Sequence, residues 1–178
     1  VAGFDRGMTI MSEVGYRIAG STLYSFSKLG AHTVIGTIGG TGRCIFSNDG
    51  TNLIIVTDGI VYQYDGATIS TITDTNITGS TAVTFLNNQM IYTNPPLFVI
   101  ADPGIPDVAS GLNAAAAESQ PDDLLRAYAY QQSAYMMGDR SCEPWWNTGT
   151  GNPPLERIDG QIFEVGCAAI HSLAHSDE

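Results

Sequence analysis

The chain has 178 residues, 43% of them apolar and only 14% charged, which suits one domain with a buried core and excludes a highly charged disordered segment. Seven Lys and Arg stand against 18 Asp and Glu, a net charge of −11, so tight electrostatic binding to nucleic acid is disfavoured. No apolar run is long enough to span a bilayer.

Twenty glycines, with frequent Ser, Thr, Asn and Asp, predict many short strands joined by tight turns. The first unit, about 7–38, is built around Tyr16–Ala19, a turn at Gly20-Ser21 and a strand through Leu23. The glycine-rich run Gly36–Arg43 follows. A phosphate loop needs a helix after it, but Cys44-Ile45-Phe46 reads as a strand, so this run is expected to link two units. His32, alone before it, reads as a loop residue.

The second unit, 43–74, is the clearest. Cys44–Ser47, Leu53–Thr57, Ile60–Asp65 and Ala67–Ile72 alternate with the turns Asn48–Thr51, Asp58-Gly59 and Asp65-Gly66. Asp-Gly is a strong hairpin signal, because a type I′ turn needs positive φ at both central residues. Leu53-Ile54-Ile55-Val56 is apolar at consecutive positions, so both faces of that strand must be covered. Asn76-Ile77-Thr78 matches a glycosylation acceptor but reads as a chance match.

The third unit, 80–102, repeats the pattern at Gln89–Thr93, with a turn at Asn94-Pro95. Positions 16, 53 and 90 align, as do 18, 55 and 92, at an offset of 37 both times. An insertion is predicted over 103–121, with a helical turn at Ala114–Ala117. The fourth unit, 124–158, aligns Ala134 with Met90 at an offset of 44, and Gln161–Val165 reads as the start of a fifth unit over 161–178.

A recurring set of four antiparallel strands predicts an all-β fold, a β-propeller of about four blades filling residues 1–178. A β-sandwich also has turns at short intervals, but does not require a fixed repeat. Four blades read as an open arc with uncovered end faces, expected to associate with itself or to borrow strands that cover them. The first and last residues read as cuts within a longer chain.

No pattern for a catalytic triad, a carboxylate pair or a cofactor stands out, so none of these is expected. His171 and His175 are four apart, yet lack a clear third ligand for a metal. Cys44, Cys142 and Cys167 are odd in number and are expected as free thiols in a reducing compartment. Trp145 and Trp146 are the candidate interface residues. Neighbours on a strand face opposite ways, so one is expected to pack between blades and the other to face out.

Four stretches carry a family resemblance: Val14–Ile18 through Leu23-Tyr24, Ala117-Glu118-Ser119-Gln120-Pro121-Asp122, Ser141–Gly149 and Gln161–Cys167. On these the chain resembles the packaged-DNA stabilisation proteins, or tail hub proteins, of short-tailed bacteriophages. The resemblance implies a ring homo-oligomer below the portal and its adaptor proteins. That ring would continue the DNA channel, help retain packaged DNA and receive the tail needle or tailspike. It implies no catalytic residues, no cofactor, no membrane and no tight sequence-specific grip on DNA. The location implied is the virion tail, with the host cytoplasm during assembly. Family chains are much longer than this one. Two other readings stay open: a propeller lectin or adhesin that uses Trp145 and Trp146, and a propeller hydrolase with carboxylates around its axis.

Overall fold

A computed structural model describes residues 3–117 and 122–174. Four antiparallel sheets of four strands follow one another along the chain, each a simple meander. Blade 1 holds β1 (Asp5–Met11), β2 (Val14–Ala19), β3 (Thr22–Phe26) and β4 (His32–Thr37). Blade 2 holds β5 (Ile45–Asn48), β6 (Leu53–Thr57), β7 (Ile60–Tyr64) and β8 (Ile69–Thr71). Blade 3 holds β9 (Ala82–Leu86), β10 (Gln89–Asn94), β11 (Leu97–Ile100) and β12 (Ala114–Ala116). Blade 4 holds β13 (Leu124–Tyr130), β14 (Ser133–Gly138), β15 (Cys142–Asn147) and β16 (Leu155–Arg157). The fold is an all-β propeller arc.

The apolar strand β6 shows why the blades stack. Successive side chains point to opposite faces. Leu53 and Ile55 enter the core shared with blade 1, beside Tyr16, Ile18 and Leu23. Ile54 and Val56 enter the core shared with blade 3, beside Met90 and Tyr92. In β10 the alternation repeats: Met90 and Tyr92 face blade 2, while Ile91 faces blade 4 with Met136 and Leu155. A fully buried Ile or Leu contributes about 1.5–3 kcal/mol. One sheet cannot shield both its faces, so each core exists only when two blades meet. Consecutive blades touch mainly through their first strands, β1, β5, β9 and β13, which therefore gather around the axis of the arc.

The turns follow their residue types. Asp58 and Gly59 have φ of 50° and 74°, and Asn87 and Asn88 have 48° and 65°, as type I′ hairpins require. The hairpin between β10 and β11 turns at Pro95-Pro96, one residue later than the expected Asn94-Pro95, because Asn94 pairs with Leu97.

Three further expectations are corrected. The alanines of the predicted insertion form β12, the last strand of blade 3, with Ala115 opposite Phe98. The open edge of β11 recruits them, and tertiary pairing outweighs the helix preference of alanine. A helical turn lies just before them, at Gly111–Asn113. His32 is not in a loop: it opens β4 opposite Phe26, against the rings of Phe26 and Tyr24.

The predicted fifth blade also differs. Residues 161–165 form no named strand; Phe163 instead makes an isolated antiparallel bridge to Cys142, with N···O distances of 2.9 and 3.0 Å. Beyond it, Cys167 N–H donates to Gly138 O at 2.8 Å. Gly166 permits this approach, since a Cβ there would overlap the Asp139–Arg140 backbone. Ile170 packs on the core between blades 2 and 3, and His171 lines a hollow together with Asp5, Arg6 and Gly7 of blade 1. Segment 166–172 thus crosses the axial end of the arc from blade 4 to blade 1.

Candidate functional site

Two features set the surface chemistry: the junctions that lock the blades, and the sheet faces at the ends of the arc. The tightest junction is between blades 1 and 2. Arg6, only 5% exposed, spends all five guanidinium N–H groups on neutral oxygens. Nε donates to Gly42 O at 2.7 Å. Nη1 donates to Gly20 O at 3.1 Å and Ile38 O at 3.4 Å. Nη2 donates to Gly39 O at 2.9 Å and Thr57 Oγ1 at 2.7 Å.

The run Gly39-Gly40-Thr41-Gly42 is therefore an inter-blade linker, as its sequence context predicts. Its backbone amides are also used: Asp58 Oδ2 accepts from Thr41 N at 2.8 Å and Gly42 N at 3.0 Å. Those amides, with help from Arg6, hold the Asp58 carboxyl below the usual range. Asp122 plays a similar part in blade 4, accepting from Arg140 N, Ser141 N and Ser141 Oγ at 3.0 Å each. Asn76, in the acceptor-like triplet, is structural too: its Nδ2 donates to Ala109 O at 2.8 Å.

Between blades 3 and 4, side-chain hydroxyls satisfy the axial strand. Thr93 Oγ1 accepts from Ala127 N at 2.8 Å, and Thr84 Oγ1 accepts from Ala129 N at 3.0 Å. Trp145 sits in this junction. It packs beside Phe98, and its indole N–H donates to Glu143 Oε2 at 3.3 Å. Trp146, its neighbour, is 47% exposed on the opposite face of the sheet. The two rings do not form one platform.

The end faces follow from register. On the outer face of blade 1, Met8, Ile10 and Val34 are exposed beside Tyr24 and Phe26. On the outer face of blade 4, Tyr128, Tyr135, Pro144 and Trp146 lie together. All three cysteines are free and buried. Among the described residues no cluster of His, Cys, Asp and Glu is arranged to hold a metal, and no helix is long and apolar enough to cross a membrane. His175 and Glu118–Pro121 lie outside the described residues.

With this geometry in hand, the whole chain, residues 1–178, matches the family model described as bacteriophage P22 Gp10, β-propeller. The chain belongs to this family of phage DNA-stabilisation proteins. It is thereby a phage structural protein. No curated protein sequence matches it.

The propeller architecture recurs in solved structures. Virginiamycin B lyase from Staphylococcus aureus is 9% identical with a TM-score of 0.60, over 90% of this chain and 57% of that one. A streptogramin B lyase is 8% identical with a TM-score of 0.59, over 85% of this chain and 53% of that one. The WD40 propeller domain of Doa1 is 12% identical with a TM-score of 0.56, over 85% and 52%. At such identities the likeness is one of fold alone. This phage-family chain spans little more than half the length of those three structures.

Proposed function

We propose that the chain is part of a phage tail hub, where it helps wall the DNA channel below the portal and keeps packaged DNA in the capsid, without catalysis of its own. The observation that carries this reading is the match of all 178 residues to one phage-stabilisation family. The chemistry is compatible with it. A net charge of −11 gives DNA little to adhere to, so a duplex can be retained and later released. Stacked blades provide a rigid wall, because every core is shared between two sheets. In the intact protein the exposed end faces of blades 1 and 4 serve contacts with further blades or neighbouring copies. The partners are other copies in a ring, the portal and adaptor proteins, and the tail needle or tailspike. The location is the virion tail, after assembly in the host cytoplasm.

The experiment is to delete the gene from the phage and analyse the particles. Capsids that package DNA and then lose it, with retention restored by supplying the protein, are the expected result. Full retention without the protein would overturn the proposal. A gel shift with the chain at micromolar concentration and physiological salt tests the channel wall separately. No stable complex with duplex DNA is expected, and a retained complex would contradict the reading.

A further inference from the structure

Four of the seven basic side chains are ion-paired at the surface. Arg17 meets Asp5 at 2.6 Å; Lys28–Glu13, Arg140–Asp139 and Arg157–Asp159 each stand at 3.6 Å. The other three, Arg6, Arg43 and Arg126, have no ion pair among the described residues. All three occupy the same end of the arc, where the axial strands β1, β5 and β13 begin. In a chain this acidic, these three cations gather at one spot, with the Asp58 carboxylate beside Arg6 as a counter-charge.

That spot is a hollow of about 310 Å³ lined by Asp5, Arg6, Gly7, Arg43, Cys44 and His171. Each wall has a defined role. Arg6 has spent its donors on backbone and hydroxyl oxygens, so it contributes charge rather than hydrogen bonds. Asp5 is held by Arg17. Arg43 is exposed, and its planar fork is available to an incoming oxyanion. Arg126 donates through Nη1 to Ile170 O at 2.9 Å, which fixes the residue before His171, and its buried Nε has no partner. Partial burial, followed by repulsion from Arg43 and Arg126, keeps the His171 imidazole below its ordinary pKa.

We propose that this hollow is an anion site that takes a phosphate group, with Arg43 and His171 as its contacting side chains and Arg6 and Arg126 as its fixed field. A bound phosphate cancels the repulsion among the cations, so His171 protonates more readily when the site is filled. The charged and titratable groups that line it are Asp5 and Arg6 on β1, Arg43 and Cys44 before β5, and His171; Arg126 on β13 acts on His171 from beside it, and Asp58 acts on Arg6 and Cys44. The phosphate is either a free ion or a phosphodiester of a nucleic-acid backbone. The proposal goes beyond the tail-hub reading and stands if that reading fails, because it concerns a ligand that any buffer can supply.

The test follows the His171 imidazole by NMR in the full chain while inorganic phosphate replaces chloride at constant ionic strength. A saturable shift at His171, a raised His171 pKa and little change at His32 are expected. Arg43→Gln should weaken the response about tenfold, with the rest of the spectrum unchanged because Arg43 is exposed. A linear drift, a response shared equally by His32, or an unaltered response in Arg43→Gln would overturn the proposal. So would an equal response to acetate, since a singly charged carboxylate should gain much less from three guanidinium groups. A short DNA duplex at low salt distinguishes the two sources. Displacement of the phosphate signal by duplex assigns the site to a backbone phosphodiester, and phosphate binding indifferent to duplex assigns it to the free ion.

Discussion

Phe98 of blade 3 and Trp145 of blade 4 meet edge to face, with ring centroids 5.0 Å apart and planes at 78°. This contact spans a junction between two sheets, so Trp145→Ala should remove interface area as well as a favourable ring geometry. A loss of about 3 kcal/mol is expected. Trp146→Ala, on the outward face, should change stability by less than about 0.5 kcal/mol. Urea denaturation of both variants checks the pair, and equal losses would contradict the assignment of the two rings to opposite faces.

Arg6 joins blade 1 to blade 2 by donating to five oxygens, each of which would lose its guanidinium partner on removal of the side chain. Arg6→Ala should cost about 3 kcal/mol or more, since buried carbonyls lose charge-assisted partners. Arg6→Lys keeps the charge but cannot reproduce the fork, and should recover less than half of that loss. Denaturant midpoints of the three proteins provide the comparison.

The Asp58 carboxyl is held below its ordinary value by the amides of Gly42 and Thr41. A folded-state pKa below the unfolded one contributes stability that is complete above the unfolded value, about 3.9, and is lost as pH falls through the folded one. The stability gap between wild type and Asp58→Asn should therefore be constant from pH 7 to pH 5 and shrink below about pH 4. Denaturation series at several pH values measure this; a gap that widened in acid would show the opposite sign.

The thiols provide a test of the packed state. Burial, and then the neighbouring Glu143, push the Cys142 thiol up to about 11, and burial likewise raises Cys44. The thiolate is the reactive form. At neutral pH the folded chain should react with a thiol reagent far more slowly than the urea-unfolded chain, which should release all three thiols quickly. Rapid labelling of Cys142 in native protein would contradict its place beneath the Phe163 bridge.

The blades are legible in the sequence because each repeats a strand, a tight turn and a strand whose neighbours alternate between two cores. Leu53–Val56 and Met90–Tyr92 keep the same offset because they occupy the same place in adjacent sheets. Trp145 and Trp146 are legible for the same reason, since strand geometry alone sends them to opposite sides. The alanines of β12 are not, because three small residues have no strand pattern until the edge of β11 selects them. Arg6 is not legible either. A lone arginine in a first strand reads as a solvent-facing charge, and its cradle of carbonyls comes from glycines more than thirty residues away. The phosphate site is spread over positions 6, 43, 126 and 171, and only the convergence of the axial strands and the C-terminal segment brings them together.

Segment 166–172 acts as a tie. Its backbone is bonded to blade 4 at Gly138, Ile170 packs on the core between blades 2 and 3, and His171 lies beside blade 1. A short stretch outside the sheets therefore touches the whole arc, and loosening it would remove contacts from several blades together.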